Sequence, residues 1–359
     1  MKLAVLGVGL IGGSIGLAAR DRDLAEVTGW VRNPDRAQEC LRVGAVDHMA
    51  ATIEDACADA DVVVCCASVG GLIEMASRAL GAAPEDCVVT DVGSTKQELV
   101  EALGSDQRFI GGHPLAGAET AGVANARADL YEGARWYLTP TSDSSGVLLD
   151  RVQKLVKNLG AKPVAIDAAE HDQAMAVVSH LPHVFANQLA VQGRSGTERL
   201  GALAPSLRDG TRVAGSNPGI WSEIFATNHE AVVSAIDEAI AGLESARDVI
   251  GSADPDRISK WQAAVGEDRA ALSATETDAG ATHELRVLVP NQPGVLAELA
   301  LALGRAGVNI SDMSLDPAPD MSSGAISLWV AGDGEAEKAQ DCISGLGHSV
   351  SLVESGPAR

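Results

Sequence analysis

The chain has 359 residues, which predicts two or three domains at roughly 100–200 residues each. Hydrophobic residues make up 46% of it, enough to bury sizeable cores, and this excludes a disordered or collagen-like chain. With 27 basic against 49 acidic residues, the net charge of −22 would repel nucleic-acid phosphates and anionic membranes, so we expect neither as a partner.

Strand-like apolar runs alternate with helical stretches over the first 165 residues. The strand candidates are Lys2–Leu6, Val27–Val31, Val62–Cys66, Val88–Asp91, Phe109–Gly111 and Trp136–Thr139. Helical stretches such as Ile11–Arg20, Pro34–Val43 and Lys96–Leu103 lie between them. This alternation predicts a parallel, doubly wound α/β sheet of the Rossmann type at residues 1–166.

Two further domains are predicted downstream. Residues 167–272 look almost wholly helical, with alanine-rich stretches at His183–Gly193 and Asn228–Ile250, and such a bundle often forms a dimer or covers a cleft. The polar residues 273–282 predict a linker. Residues 283–359 follow the order β-α-β-β-α-β, which is typical of a ferredoxin-like sandwich.

The six cysteines include no CxxC pair, and Cys65 and Cys66 are adjacent inside an apolar run. Such thiols are more often small buried side chains than metal ligands or disulfide partners. We therefore expect a protein of the reducing cytoplasm.

A glycine-rich motif directly follows the first predicted strand and opens a helix. Its residues are Gly7, Val8, Gly9, Leu10, Ile11 and Gly12. The glycines permit a tight turn, close approach of a pyrophosphate and close helix packing, while the helix N-terminus supplies N–H donors. A glycine-rich turn without a ligand is the alternative, but this position in a βαβ unit favours dinucleotide binding.

The residues at the end of the second predicted strand bear on the choice between NAD and NADP. NAD-binding domains usually place Asp or Glu there to bond the adenine ribose, but residues 29–34, GWVRNP, contain no carboxylate. Arg32 stands where the 2′-phosphate of NADP could be paired. The sequence thus predicts NAD(P), leaning toward NADP. An Arg32 that is only solvated, or that stacks on adenine, is the alternative.

Two polar clusters follow neighbouring strands, DVGSTK at 91–96 and GGHPLAGAE at 111–119. Ligands of open α/β sheets lie beyond the carboxyl ends of the strands, so Ser94 and His113 could both reach a nicotinamide. The alternatives are that Ser94 caps the following helix and that His113 is a turn histidine held by Pro114.

Two more motifs fall in the helical segment. SHLPH at 179–183 carries His180 and His183. No third ligand with metal-site spacing accompanies them, so we predict no metal. We favour the interpretation that they are polar residues lining a cleft. RDGTR at 208–212 leads to GSNPGIW at 215–221. Arginine suits bidentate binding of a substrate carboxylate, while a surface Arg–Asp pair is the alternative left open.

Together these motifs resemble the TyrA-type prephenate/arogenate dehydrogenases of tyrosine biosynthesis. The matching pieces are GVGLIGGS at 7–14, DVGSTK at 91–96, GGHPLAGAE at 111–119, SHLPH at 179–183 and RDGTRVAGSNPGIW at 208–221. They occur in the family's order, and the C-terminal segment resembles an amino-acid-binding regulatory ACT domain. The resemblance implies a Rossmann domain, a helical dimerisation domain, an ACT domain and a homodimer.

The activity implied by the resemblance is an oxidative decarboxylation. Hydride leaves C4 of the cyclohexadienol ring for the nicotinamide, CO2 is lost and the ring aromatises. Prephenate gives 4-hydroxyphenylpyruvate, and arogenate gives tyrosine. We expect prephenate as the substrate and keep arogenate as the alternative, since no residue discriminates the keto from the amino-acid side chain.

The resemblance also implies roles for individual residues. His113 matches the acceptor or general base for the 4-hydroxyl proton, and Ser94 matches the residue that orients hydroxyl, histidine and nicotinamide. Arg212 matches the cation for a substrate carboxylate, with Asp209 orienting it. The remaining pocket residues would be His183, His180, Ser216, Trp221 and, as an ionic gate, Glu119.

In the ACT segment, Asn291, Gly294 and Asn309 match positions where related domains hold an amino acid at a dimer interface. L-Tyrosine, as the end product, is the expected effector. A vestigial domain that only aids oligomerisation is the alternative.

Two other functions compete with this interpretation. A β-hydroxyacid dehydrogenase would use a lysine of the helical domain as its acid and base, but Lys260 is the only lysine of residues 167–272. A non-catalytic sensor of nucleotide and amino acid would leave His113, Ser94 and Arg212 without a purpose.

Overall fold

The computed structural model describes residues 1–117, 120–276, 282–317, 323–331 and 333–353. The chain divides into two compact units, Met1–Leu243 and Glu244–Arg359.

Within its described residues, the first unit contains eight strands in one sheet. They are β1 (Lys2–Leu6), β2 (Glu26–Trp30), β3 (His48–Met49), β4 (Val62–Cys65), β5 (Val88–Asp91), β6 (Phe109–Pro114), β7 (Arg135–Thr139) and β8 (Lys162–Ala165). Their spatial order is β3-β2-β1-β4-β5-β6-β7-β8, and β6 and β7 are the antiparallel neighbours in a sheet that is otherwise parallel. The α/β prediction is confirmed.

Helices cover both faces of this sheet. They are α1 (Leu10–Asp21), α2 (Ala37–Val43), α3 (Ile53–Cys57), α4 (Val69–Ala82), α5 (Gln97–Leu103) and α6 (Gly146–Asn158). Side chains alternate along each strand, so Leu3 and Val5 of β1 join the core formed with α1 and α6. Ala4 and Leu6 join the core formed with α3, α4 and α5. A strand segment buried on both faces must be apolar, as Leu3–Leu6 of β1 are.

Strand β6 is longer than the sequence predicts, and this moves His113. We expected the strand to end at Gly111, with His113 just beyond it, but β6 continues to Pro114 by pairing with β7, where His113 lies opposite Tyr137. The glycines permit the close pairing, since a Cβ at Gly111 would lie 2.3 Å from Thr139 Oγ1. The alternative of a turn histidine is therefore wrong.

The rest of the first unit is helical, as predicted. Its elements are α7 (Ala168–Met175), a π-helical turn (Ala176–His180), α8 (Leu181–Leu200), α9 (Pro205–Gly210), α10 (Pro218–Thr227) and α11 (His229–Gly251), whose last residues belong to the second unit. The Asp167 side chain caps α7 by accepting from the backbone N–H groups of Ala169 and Glu170. Ala176, Val232 and Ala235 form a small core between these helices.

The second unit contains the ferredoxin-like sandwich that the sequence predicts. Its elements are α12 (Pro255–Glu276), β9 (Thr282–Pro290), α13 (Val295–Arg305), β10 (Ile310–Pro317), β11 (Ser323–Ala331), α14 (Asp333–Gly345) and β12 (Ser349–Val353). The strands form an antiparallel sheet in the order β10-β11-β9-β12. Helix α12 extends to Glu276, into the predicted linker, and residues 277–281 of that linker lie outside the described residues.

Of the helices that the structure describes, none combines the length and the apolar character that crossing a membrane requires.

Candidate active site

The glycine-rich motif forms the turn between β1 and α1. Gly7 has a φ of 102°, and a Cβ there would lie 2.1 Å from the carbonyl oxygen of Cys66. A Cβ at Gly12 would lie 2.3 Å from the Gly7 oxygen. At Gly9 nothing lies within 4 Å of the Cβ position, so the space in front of the α1 N-terminus, at Leu10 and Ile11, is open. Two glycines thus serve packing, and the third leaves room that fits a pyrophosphate.

A cavity of about 780 Å³ continues from this turn across the ends of β1, β2 and β4. Its lining includes Gly7, Gly9, Trp30, Arg32, Arg36 and Arg78. Arg78 forms a bidentate pair with Glu54, at 2.9 and 3.0 Å, whereas Arg32 is exposed at the rim. The volume and the basic rim fit the adenosine part of a dinucleotide.

A buried ion pair supports the next strand end. Asp91, the last residue of β5, pairs with Lys96, and both side chains are fully buried. Asp91 also accepts from the backbone N–H groups of Gly93, at 2.7 Å, and Gly112, at 2.9 Å. Lys96 Nζ donates to the Gly112 carbonyl at 2.9 Å. The pair therefore ties the loop that carries Ser94 to the strand that carries His113.

His113 is buried, with 7% of its surface exposed. Its Nδ1 lies 2.9 Å from Nε2 of His171, and the two rings meet edge to face. Burial lowers the pKa of His113 well below its usual range, and the nearby His171, Lys96 and His180 act in the same direction. A neutral imidazole at pH 7 is the form that can accept a proton.

His171 leads on to Asp172. Nδ1 of His171 lies 2.8 Å from Oδ1 of Asp172, and both side chains are 1% exposed. The Asp172 carboxylate also accepts from the backbone N–H groups of Lys96, at 2.8 Å, and Gln97, at 2.9 Å, where α5 begins. Asp172 therefore caps α5 from another helix, and the alternative that Ser94 is this cap is wrong.

Two more histidines extend the cluster. His180 Nδ1 lies 3.2 Å from Nδ2 of Asn228, which also donates to the Asp172 carbonyl at 2.8 Å. Burial lowers the pKa of His180 to about 4. His183 stacks on Trp221, with ring centroids 3.6 Å apart, and burial lowers its pKa too. Nε2 of His180 and Nδ1 of His183 are buried polar atoms without a hydrogen-bond partner among the described residues, as expected of atoms that await a ligand.

The other predicted residues that the structure describes lie in α9, in the segment after it and in the loop after β5. Asp209 and Arg212 are exposed near the end of α9. The backbone N–H of Arg212 donates to the backbone carbonyl of Asp209 at 3.3 Å. The Ser216 hydroxyl donates to the Val213 carbonyl at 2.7 Å. Ser94 is half-buried in the loop after β5. Glu119 lies outside the described residues.

Four residues that contribute to the site were not predicted from the sequence: His171, Asp172, Asp91 and Lys96. Asp91 and Lys96 stand inside the DVGSTK motif, so the motif itself was a usable signal. His171 and Asp172 lie near the start of a helix, where acidic residues are common, and nothing in their spacing points to His113.

Among the described residues, no group of three or more His, Cys, Asp or Glu side chains could hold a metal ion. The six cysteines are free thiols.

Family models match three segments of the chain. They are the nucleotide-binding domain of prephenate dehydrogenase at residues 15–165, its dimerization domain at 167–263, and the ACT domain at 283–331.

Curated relatives agree with these matches. A prephenate dehydrogenase of Bacillus subtilis is 29% identical over 357 residues, covering 96% of each chain. A cyclohexadienyl dehydrogenase of Zymomonas mobilis is 30% identical over 298 residues, covering 79% of this chain and 98% of its own.

Solved structures show the same fold. Prephenate dehydrogenase from Aquifex aeolicus, in complex with hydroxyphenyl propionate and NAD+, has a TM-score of 0.71 at 29% identity and covers 76% of this chain and 98% of its own. Synechocystis arogenate dehydrogenase has a TM-score of 0.67 at 25% identity and covers 75% and 99%.

Proposed function

The chain belongs to the prephenate dehydrogenase family, and on that premise we propose that its first unit oxidises and decarboxylates prephenate at His113. The product is 4-hydroxyphenylpyruvate, a precursor of tyrosine. The observation that carries the proposal is a buried histidine near the carboxyl end of β6 in a nucleotide-binding sheet, with Nδ1 2.9 Å from His171 and with its pKa lowered by burial. Arogenate is the alternative substrate, as the likeness to an arogenate dehydrogenase also allows.

Proton acceptance at His113 is the central step for the protein. A bound nicotinamide dinucleotide supplies the hydride acceptor. As C4 loses hydride it gains carbonyl character, so its hydroxyl becomes acidic and His113 Nε2 takes the proton. Ser94, in the loop tied to β6 through Asp91 and Lys96, orients the hydroxyl toward that nitrogen.

Substrate binding falls to the helical part of the first unit. Arg212 binds a carboxylate of the substrate, with Asp209 orienting the guanidinium. The unpartnered nitrogens of His180 and His183 supply polar contacts, and Trp221 holds the His183 ring by stacking. Ser216 completes this side of the pocket.

The proposal is tested by initial rates on prephenate or L-arogenate, each with NAD+ or NADP+. We expect turnover with prephenate to exceed that with arogenate. If a folded protein is silent in all four combinations yet binds the nucleotide in equilibrium dialysis, the enzyme assignment fails and a non-catalytic sensor is the better description.

The first unit contains a nucleotide-binding domain, and we propose that it prefers NADP because Arg32 pairs with the 2′-phosphate. Arg32→Gln removes a charge-assisted contact worth about 1.5–3 kcal/mol, so we expect KM for NADP+ to rise roughly 10- to 100-fold with little change for NAD+. Arg42→Gln, an exposed arginine outside the cavity lining, is the matched control. Equal effects on both cofactors would contradict the role of Arg32.

The second unit carries the proposed regulatory site. A cavity of about 330 Å³ is lined by residues 289–297 together with Leu315, Ser323 and Gly324. Asn291 and Gly294 are among the lining residues, and Gly294, with a φ of 96°, caps α13. Asn309 precedes β10 and does not line the cavity. We assign this space to L-tyrosine.

L-Tyrosine is expected to inhibit the wild-type enzyme, and Asn291→Ala is expected to weaken this inhibition. Losing a hydrogen bond to the charged amino acid raises the inhibition constant about tenfold or more, with the uninhibited rate unchanged. Inhibition curves for the two proteins provide the measurement. Wild-type activity that is indifferent to L-tyrosine would leave the domain with a structural role.

We also assign a homodimer to this chain. Residues 167–263 match a dimerization domain, and several large apolar side chains on these helices are exposed. Those of the first unit are Val177, Val178, Phe185, Leu189, Val191, Ile220, Val233, Ile240 and Leu243. Sedimentation equilibrium tests the assignment, because a monomeric mass would contradict it.

We propose the cytoplasm as the compartment of this protein, and its free thiols support this.

A further inference from the structure

We propose that Asp172 and His171 act as positioning residues that fix the tautomer of His113, so that Nδ1 of His113 carries the proton and Nε2 is the bare base. The proposal rests on the proposed function, in which His113 accepts the proton of the substrate hydroxyl. Neither His171 nor Asp172 contacts the substrate in this arrangement.

The direction of the hydrogen bonds in this chain of residues is determined first at Asp172. Its two carboxylate oxygens lie within 3.1 Å of the backbone N–H groups of Lys96 and Gln97, which can only donate. Both oxygens are therefore acceptors, and the carboxyl needs no proton of its own. The remaining contact, to Nδ1 of His171 at 2.8 Å, must then be a hydrogen bond that His171 donates.

The tautomer of His171 sets that of His113. A neutral imidazole has one N–H, so in the neutral resting form of His171 that the proposal requires, the N–H is at Nδ1 and Nε2 is an acceptor. Nδ1 of His113 lies 2.9 Å from this acceptor and must be the donor. In His113 the proton is then on Nδ1, and Nε2 carries the lone pair. Nε2 makes no hydrogen bond to the residues that the structure describes.

The same chain stabilises the charge that the reaction creates. When the O–H bond of the substrate breaks, its proton forms a bond to His113 Nε2, and the Nδ1 proton of His113 moves to Nε2 of His171. The positive charge then lies on His171, beside the Asp172 carboxylate, rather than on His113. The other cationic or titratable groups near His113 are Lys96 and His180, both of which disfavour a charge on it.

The geometry distinguishes this role from packing. His171 also meets Tyr137 edge-on, with ring centroids 5.7 Å apart, and that contact carries no proton. A packing role would make His171 and Tyr137 equivalent, because either substitution would loosen the same cluster. A tautomer-fixing role requires an acceptor at the position of His171 Nε2 and is indifferent to Tyr137.

Three variants of the full-length enzyme test the proposal: His171→Leu, His171→Gln and Tyr137→Leu. Leucine offers no acceptor, so we expect kcat to fall roughly 10- to 100-fold with KM for prephenate unchanged. Glutamine can accept from His113 and donate to Asp172, so it should recover most of that loss. Tyr137→Leu is the packing control, with kcat within about twofold of wild type.

A spectroscopic measurement reports the tautomer without turnover. In ¹⁵N-histidine-labelled protein, the His113 signals, identified by their loss in His113→Asn, should show the Nδ1–H tautomer in wild type and in His171→Gln. In His171→Leu they should shift toward the Nε2–H form. A wild-type Nε2–H tautomer would overturn the proposal even if the enzyme is fully active. A wild-type Nδ1–H tautomer in an inactive protein would instead count against the proposed function alone.

If His171→Leu does not fold, the wild-type spectrum and His171→Gln still decide the question. Equal losses of kcat in His171→Leu and Tyr137→Leu would reduce His171 to a packing residue.

Discussion

Replacing His113 with asparagine is expected to lower kcat by roughly 10²- to 10⁴-fold, the range for loss of a general base. Asparagine can still fill most of the buried space that His113 occupies near the carboxyl end of β6, so the protein should fold and bind the nucleotide. Steady-state kinetics with prephenate, together with circular dichroism and nucleotide titration, measure the effect. His48→Asn, which alters an exposed histidine bonded to Glu26, is the matched control.

The pH dependence of kcat/KM should also reflect the role of His113 as the base. Burial holds the pKa of His113 well below 6.5, so the base is neutral at pH 7 and stays neutral as the pH falls below 6.5. The acid limb of kcat/KM should therefore lie well below pH 6.5, where His113 becomes protonated and can no longer accept a proton. Near-wild-type turnover by His113→Asn would remove the general-base role outright.

Replacing Arg212 with glutamine is expected to raise KM for prephenate roughly 10- to 100-fold, because a charge-assisted bond to a carboxylate is worth about 1.5–3 kcal/mol. The guanidinium binds a part of the substrate that does not react, so the loss should fall mainly on KM rather than kcat.

Arg208→Gln is the matched control, since Arg208 lies four residues earlier, in α9, which ends two residues before Arg212, and is also exposed. If the two glutamine variants behave alike, the carboxylate is bound elsewhere and Arg212 belongs to the surface. Titration of nucleotide into both proteins separates a substrate effect from a general loss of structure.

Local patterns were sufficient for most elements and for the glycine-rich turn, but β3 and β8 were not among the strand candidates. The motif at Gly7–Gly12 acts through residues adjacent in sequence, and its steric requirements at Gly7 and Gly12 follow from backbone geometry alone. The same holds for the order of strands and helices, because the buried face of each element determines the spacing of its apolar residues in the sequence. The length of β6 was not accessible in this way, since its last residues become strand only by pairing with β7.

The sequence by itself determined the nucleotide turn, the three kinds of domain and the candidacy of His113. Only the tertiary structure decided what holds His113. His171 is 58 residues away from it in the chain, and Asp172 reaches the start of α5 across 76 residues. Hydrogen bonds over such separations leave no periodicity or spacing in a single sequence, because they depend on how helices pack against the sheet. The pKa of His113 follows from that packing too, since burial and neighbouring charges rather than the identity of the residue determine it.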